Sequence, residues 1–142
     1  MASQQENAIH EGLDLQLPKK CIYAFLEEEI DRFAQEVGAE CVGEFVSATK
    51  TYPVYVMSYK GEKVCLAQAP VGSAPAAQFM DWLIGYGVEK IISTGTCGVL
   101  TNIEENAFLV PVRALHQFNG AIASLYVNTC ACVGYGGGVL AH

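Results

Sequence analysis

Residues 63 to 94 read Lys63-Val-Cys-Leu-Ala-Gln-Ala-Pro-Val-Gly-Ser-Ala-Pro-Ala-Ala-Gln-Phe-Met-Asp-Trp-Leu-Ile-Gly-Tyr-Gly-Val-Glu-Lys-Ile-Ile-Ser-Thr94. Lys63 to Ala69 is a short apolar run, which predicts a buried strand. Ala76 to Tyr86 carries apolar residues at helical spacing, and Gly87 follows as a natural stop. Lys90 to Thr94 predicts a second buried strand. A strand, a helix and a strand in this order form a βαβ unit, so part of the sheet must be parallel.

Further elements are expected on either side of this unit. Lys60-Gly61-Glu62 suits a tight hairpin between two strands, and Gly38 ends the predicted helix before them. The other predicted elements are a strand at 21–26, a helix at 27–37, strands at 41–48 and 52–59, and a strand at 107–112. Strands that alternate with helices place the chain in the α/β class.

Composition excludes several functional classes. The chain has 142 residues, of which 51% are hydrophobic and 16% charged, so it is a folded domain and not a disordered chain. The formal charge is −7 without any Lys/Arg cluster, which argues against nucleic acid and anionic membranes as partners. Residues 1–10 are polar and contain no secretory signal, so a cytoplasmic location is expected.

The charged residues divide the chain unevenly. Every Lys, Arg, Asp and Glu lies at or before Arg113, and residues 114–142 carry no formal charge apart from two histidines. We therefore divide the sequence into an N-terminal arm (1–18), expected to be loose, an α/β domain (19–115) and an uncharged, divergent tail (116–142). Polar residues and a glycine run interrupt the tail, which disfavours a membrane span. A gene truncated or frame-shifted near codon 115 and an authentic divergent C-terminus both remain as interpretations.

The six cysteines are irregularly spaced and include no CxxC pair. They are expected to be reduced thiols that pack as small hydrophobic side chains, because the sequence has no secretory context. Cys130 and Cys132 form a CxC pair whose spacing does not match common zinc sites. No metal site is therefore expected, and metal analysis of the purified protein would decide the alternative of a metal or redox role for this pair.

The segment with the clearest chemical pattern is Ser93-Thr-Gly-Thr-Cys-Gly98. It stands at the carboxyl end of a predicted strand, where open α/β sheets bind ligands. Gly95 and Gly98 would let the backbone turn so that successive N–H groups face one anion. The Thr96 hydroxyl would add a hydrogen bond to a phosphate or sugar oxygen. The alternative is a glycine-rich corner between a strand and a loop.

Four segments in a fixed order carry a family resemblance: Gln68-Ala-Pro-Val-Gly-Ser-Ala-Pro-Ala-Ala77, Tyr86-Gly-Val-Glu-Lys-Ile-Ile92, Gly95-Thr-Cys-Gly98 and Asn106-Ala-Phe-Leu-Val-Pro-Val-Arg-Ala-Leu115. In this order and spacing the chain resembles the nucleoside phosphorylase family, which includes uridine and purine nucleoside phosphorylases and related hydrolases. The resemblance extends from about Leu17 to Leu115. It is specific in order and spacing, and less so in any single motif.

The resemblance implies a mixed, partly parallel sheet flanked by helices, usually in symmetric homo-oligomers. It implies reversible phosphorolysis of a purine or pyrimidine nucleoside to free base and (deoxy)ribose 1-phosphate, with phosphate as co-substrate and no metal or organic cofactor. The implied phosphate-binding positions are Gly95, Thr96 and Ser93. The implied substrate-binding positions are Gly72, Thr94, Cys97 and Gly98, although Gly72 alternatively serves only as a helix-entry turn. The resemblance supplies no catalytic side chain.

Three departures from the family pattern bear on activity. Ser93 stands where the family has a phosphate-binding arginine, and a hydroxyl cannot neutralise a dianion. Glu27, Glu28 and Glu29 stand where a Gly-Asp-Pro-x-Arg turn usually follows the first strand, and the nearby Arg32 is either a compensating cation or a solvated helix residue. The family's second half, which supplies the base pocket, has no counterpart here. An inactive remnant or a nucleoside-binding or phosphate-binding module is therefore the alternative function.

Overall fold

The computed structural model describes residues 14–97, 102–104 and 107–111, together with the backbone of three strands at 113–118, 121–126 and 130–134. The elements are β1 (Lys20–Phe25), α1 (Glu29–Glu36), β2 (Glu40–Val46), β3 (Thr51–Tyr59), β4 (Glu62–Gln68), α2 (Ser73–Gly85), β5 (Lys90–Cys97), β6 (Phe108–Leu109), β7 (Arg113–Phe118), β8 (Ala121–Tyr126) and β9 (Cys130–Gly134). They belong to two compact units, residues 1–91 and 92–142, which are described in turn.

The first unit is built on a mixed sheet with the strand order β2-β3-β4-β1. β1 and β4 are parallel, with Cys21 opposite Cys65 and Ala24 opposite Gln68. β3 is antiparallel to both β2 and β4. β5 begins beside β1, since the N–H groups of Glu89 and Lys90 both donate to the Lys19 carbonyl at 2.8 Å. The predicted α/β class and partly parallel sheet are confirmed.

The turn between β3 and β4 explains why these strands pair locally. Lys60 and Gly61 have φ angles of 49° and 82°, so both central residues of the turn lie in the left-handed region. Two-residue turns of this kind match the right-handed twist of a hairpin. The hairpin predicted around Lys60-Gly61-Glu62 is therefore present.

The two helices of this unit cover opposite faces of the sheet. Successive residues of a strand point to opposite faces, and β1 and β4 bury both. Cys21, Tyr23, Cys65 and Ala67 belong to the cluster beneath α2. Ala24 and Leu66 pack instead with Ile30 and Ala34 of α1. The unit thus has three layers, with β1 and β4 buried between its helices.

An aromatic cluster holds α2 on its face of the sheet. Phe79 is fully buried and stacks on Phe45 with a centroid distance of 4.5 Å. Its ring also lies 5.6 Å from Tyr23 and 6.0 Å from Trp82. The Tyr23 hydroxyl donates to the Ala76 carbonyl at 2.8 Å, and burial of this phenol raises its pKa. Offset and edge-on aromatic pairs of this kind add to the gain from burial alone.

The segment before β1 packs against the same core. Leu17 is 4% exposed, and its N–H donates to the Tyr86 carbonyl at 2.8 Å. Leu15 also contacts the cluster beneath α2. The prediction of a loose arm is therefore wrong for these two residues, because burial of their apolar side chains stabilises the segment against the core.

Most predicted boundaries lie within two residues of the observed ones, and three differ by three residues. α2 begins at Ser73, three residues before the predicted start, because Pro75 falls in the first turn, where a helix needs no N–H from it. β5 continues to Cys97 instead of ending at Thr94. The strand predicted at 107–112 is reduced to the two residues of β6.

In the second unit, β5 continues as a paired strand. β9 is parallel to β5, with Ser93 opposite Cys130 and Cys97 opposite Gly134. β6 is antiparallel to β9. β7 and β8 form a separate two-stranded antiparallel hairpin. The uncharged tail, for which the sequence predicted no elements, therefore contains β8, β9 and the second half of β7.

Candidate functional site

The carboxyl ends of β1 and β4 lie side by side at one edge of the first unit. Their last paired residues are Ala24 and Gln68. The Ala69 N–H donates to the Ala24 carbonyl at 2.8 Å, so the segments that follow β1 and β4 leave the sheet side by side. In open α/β sheets, ligands bind beyond the carboxyl ends of parallel strands. This edge is the candidate site of the first unit.

Gly72 forms the entry to α2 at this edge. Its φ of +106° lies in the region that favours glycine, and its carbonyl accepts from the Ala76 N–H at 3.1 Å. α2 has no side-chain cap and no acidic residue in its first turn. The structure therefore places Gly72 in the helix-entry turn, and its predicted substrate contact stays a prediction. Because the first turn of α2 has no carboxylate, no side chain of that turn neutralises the positive end of the helix dipole.

Lys50 adds a full positive charge to the same edge. It directly precedes β3, and β3 is antiparallel to β4, so Lys50 lies beside the carboxyl end of β4. Its ammonium donates to Gln68 Oε1 at 2.9 Å and lies 5.4 Å from the ring centroid of Tyr52. Gln68 is a buried polar side chain, 7% exposed, which orients this contact.

No sequence motif points to Lys50 or Gln68 as site residues. The signal available was the hairpin itself: pairing two strands across Lys60-Gly61 places the residue before the first strand beside the end of the second. The contact between Lys50 and Gln68 can therefore be inferred from the strand register and not from any motif around Lys50.

The carboxylates after β1 bring negative charge to this edge. Glu27 has a φ of 49°, and Glu28 stands at the N-cap of α1. Arg32 forms an exposed ion pair with Glu29 one turn away on α1. Arg32 is thus a solvent-exposed helix residue that pairs with one of the three acids. This is the second of the two roles that the sequence left open for it.

The residues predicted to bind phosphate lie on β5 in the second unit. Ser93, Thr94, Gly95, Thr96 and Cys97 are all in extended, paired backbone. The turn predicted to begin at Gly95 is therefore wrong in position, because pairing with β9 continues the strand through Cys97. Gly98 lies outside the described residues. Successive N–H groups of a strand point in opposite directions, so residues 93–97 do not form an anion-binding concavity by themselves.

The strand geometry separates the predicted side chains into two sets. Thr94 and Thr96 lie on one face of β5, whereas Ser93 and Cys97 lie with Gly95 on the other. Thr96 is exposed, while Ser93 and Thr94 are half-buried. The structure thus brings the two threonine hydroxyls to a common face and does not bring Ser93 to them. Gly72 belongs to the first unit, where it is described above.

The cysteines for which side chains are described are free thiols. Cys21 and Cys65 are buried, Cys97 is half-buried and Cys41 is exposed. Cys130 and Cys132 lie on β9, opposite Ser93 and Gly95 of β5, and only their backbone is among the described parts of the structure. Within the described residues, no three His, Cys, Asp or Glu side chains come together in a way that would hold a metal ion. Nor does either described helix have the length and apolarity needed to cross a membrane.

A family model described as the phosphorylase superfamily matches residues 19–136. The match extends beyond Leu115, the end of the resemblance expected from the sequence. No curated protein matches the chain in sequence.

Solved structures of three relatives share the fold. Purine nucleoside phosphorylase from Toxoplasma gondii in complex with immucillin-H is similar with a TM-score of 0.56 and 15% identity, over 73% of this chain and 42% of that one. 5'-Methylthioadenosine/S-adenosyl homocysteine nucleosidase from Campylobacter jejuni has a TM-score of 0.54 and 21% identity, over 68% and 41%. Uridine phosphorylase from Vibrio fischeri ES114 has a TM-score of 0.57 and 18% identity, over 67% and 39%. The chain spans about two fifths of the length of these structures.

Proposed function

Because the chain belongs to the phosphorylase superfamily, we propose that it acts on nucleosides, in the reversible phosphorolysis of a purine or pyrimidine nucleoside to free base and pentose 1-phosphate. The single observation that carries this proposal is the family match over residues 19–136. The shared fold of two phosphorylases and a nucleosidase supports the class of bond to be cleaved, an N-glycosidic bond.

The chemistry sets two requirements for a protein of this class. Phosphate attacks the anomeric carbon of the sugar as the base departs, through a transition state with oxocarbenium character. The protein must hold the phosphate dianion in position beneath the sugar and support the charge that develops on the base. We propose no metal or organic cofactor for these roles, and inorganic phosphate is the co-substrate.

On the second unit, we assign phosphate or sugar binding to Thr94 and Thr96. Their side chains share a face of β5, and hydroxyl groups can donate to phosphate oxygens. Gly95 lies between them in sequence, but it is buried and belongs to the opposite face of β5, so its predicted phosphate contact has less support from the geometry. Ser93 lies on the opposite face of the strand, so its predicted phosphate contact has less support from the geometry.

On the first unit, we assign a charge contribution to Lys50. Its ammonium is fixed by Gln68 at the edge where β1 and β4 end. A cation at this edge attracts an anionic ligand and offsets the carboxylates of Glu27 and Glu28. The open N-terminus of α2 at the same edge acts in the same direction.

One observation favours a second candidate function. Ser93 stands where the family has an arginine, and loss of that charge weakens the hold on phosphate. Hydrolysis, in which water replaces phosphate, needs no such charge, and the Campylobacter relative is a nucleosidase. If phosphate binding were lost altogether and water did not replace phosphate, the protein would bind nucleosides without turnover. A homo-oligomer of this chain in the cytoplasm is the expected context for each possibility.

A base-release assay distinguishes these functions. Purified protein is incubated with inosine, uridine and methylthioadenosine, each with and without phosphate, and free base is quantified by chromatography. Base release that requires phosphate supports phosphorolysis, whereas equal release without phosphate identifies a nucleosidase. No release from any substrate would refute an enzymatic function, and calorimetry with the same nucleosides then tests for a binding module.

Matched variants connect the assay to the assigned residues. Thr96→Val removes a hydroxyl and keeps the shape and β propensity of the side chain. Thr49→Val serves as its control, because Thr49 is an exposed residue of the turn before β3. We expect Thr96→Val to raise the KM for phosphate several-fold and Thr49→Val to leave it unchanged.

A further inference from the structure

Two buried thiols face each other across β1 and β4. Cys21 and Cys65 are direct partners in the parallel register and are 2% and 0% exposed. Both side chains belong to the cluster beneath α2, so they lie on the same face of the sheet. Neighbouring strands are about 4.8 Å apart. This spacing falls within the separation of about 4.4–6.8 Å between Cα atoms that a disulfide spans.

The two sulfur atoms also interact with each other. A hydrogen bond from the Cys21 thiol favours the thiolate of Cys65 and lowers its pKa, while burial opposes the ionisation. The same interaction, together with burial, raises the pKa of Cys21. The two thiols therefore lose their first proton as a pair. A thiolate next to a protonated thiol is the arrangement that thiol–disulfide exchange uses.

We propose that Cys21 and Cys65 are a redox pair, which a low-molecular-weight disulfide such as glutathione disulfide oxidises to a disulfide linking β1 to β4. The Cys65 thiolate attacks one sulfur of glutathione disulfide, which breaks that S–S bond, releases one glutathione and leaves a mixed disulfide on Cys65. The Cys21 sulfur then attacks the Cys65 sulfur and releases the second glutathione. Both protein thiol protons end on the two glutathione molecules, so the exchange balances.

The covering segment sets the access to this pair. The Cys65 sulfur lies 3.9 Å from the Pro18 carbonyl oxygen, in the segment whose Leu17 is buried against the core. Reagent reaches the thiols when this segment opens locally, so oxidation is slower than at the exposed Cys41. The product closes a covalent loop between residues 21 and 65, which constrains the unfolded chain.

Peptide mapping of the full chain tests this proposal. Wild-type protein is incubated in its native state with glutathione disulfide for about a hundred times the period that modifies Cys41 fully, so that local opening has time to expose the buried pair. It is then blocked with N-ethylmaleimide and digested with trypsin without reduction. Trypsin cuts after Lys20, Arg32, Lys63 and Lys90, so the disulfide links peptide 21–32 to peptide 64–90. We expect this linked pair to become the main form of both peptides and to disappear on treatment with dithiothreitol.

Three single variants serve as controls. Cys41→Ser should keep the linked pair, whereas Cys21→Ser and Cys65→Ser should lose it. In the wild type, oxidation should also raise the urea midpoint of unfolding reversibly, and it should not do so in Cys65→Ser. Recovery of Cys21 and Cys65 as blocked free thiols, or as separate glutathione adducts, while Cys41 is fully modified would overturn the proposal.

Discussion

Replacing Phe79 by alanine tests whether the aromatic cluster holds α2 on the sheet. Phe79 has no exposed surface, and its ring lies within 6.0 Å of those of Phe45, Tyr23, Tyr52 and Trp82, centroid to centroid. A buried Phe→Ala change costs about 3–5 kcal/mol through lost burial and the cavity that remains. Aromatic pairs add about 0.5–1.5 kcal/mol each beyond burial. Because these contributions overlap, we expect a loss of about 4–5 kcal/mol.

A loss of this size is large against the total stability of a domain, about 5–15 kcal/mol. The measurement is urea unfolding followed by the fluorescence of Trp82, the chain's single tryptophan, and by circular dichroism in parallel. Phe79→Leu keeps most of the volume and loses the ring contacts, so it should cost about 1–2 kcal/mol.

Ile84→Ala is the matched control on the same helix. Ile84 is 53% exposed, so its truncation should change stability by about 0.5 kcal/mol or less. If Phe79→Ala unfolded at the same urea concentration as Ile84→Ala, the cluster would not be the contact that holds α2. The three-layer description of the first unit would then be wrong.

Four further predictions follow from individual contacts. Tyr55→Phe removes the 2.8 Å hydrogen bond from the Tyr55 hydroxyl to Asp31, and should cost about 1–2 kcal/mol in urea unfolding at pH 7. Burial, and then the hydrogen bond to Asp31, raise the pKa of Tyr55 to about 12. The contribution of this hydroxyl to stability is therefore complete below pH 10 and declines as the pH rises towards 12. Plots of the free energy of unfolding against pH should converge there for wild type and variant, and parallel plots would contradict this. Gly72→Ala should lower the free energy of unfolding by about 1–3 kcal/mol, because a Cβ at φ +106° is strained although its nearest neighbours are 3.5 Å away. Gly85→Ala, in open space on α2, should be neutral or stabilising, and equal effects of the two substitutions would refute the strain at Gly72. Lys50→Gln should weaken phosphate binding in calorimetry at low salt about three- to tenfold, with Lys60→Gln in the β3–β4 turn unchanged; equal affinities would remove Lys50 from the site. Ser93→Arg restores the side chain of the family pattern on the face of β5 opposite Thr94 and Thr96, so phosphate affinity should change less than about threefold, whereas a gain of about tenfold would show that this position faces the anion.

The first unit could be predicted from sequence because its signals are local. The apolar runs of β1, β3 and β4 and the turn at Lys60-Gly61 each specify a strand or hairpin without knowledge of distant residues. The start of α2 is harder to predict because proline disfavours a helix interior, whereas the first turn, where Pro75 lies, tolerates it. The burial of Leu17 depends on a core formed by residues far along the chain, which no local pattern reveals.

The candidate site was less predictable than the fold. The expected turn at Gly95 follows from the usual meaning of glycine near a strand end, but pairing with β9 extends the strand to Cys97. That pairing depends on residues 130–134, for which the sequence predicted no strand. The contact between Lys50 and Gln68 arises from the register of two strands, and no contiguous motif contains both residues.

The central proposal is that this chain transfers the pentose of a nucleoside to phosphate. The most direct test is a phosphorus NMR spectrum of the purified protein incubated with inosine or uridine and inorganic phosphate. We predict a new phosphate monoester signal that grows in step with the free base and is absent when phosphate is omitted. Free base without this signal, or neither product from either nucleoside, would contradict the claim.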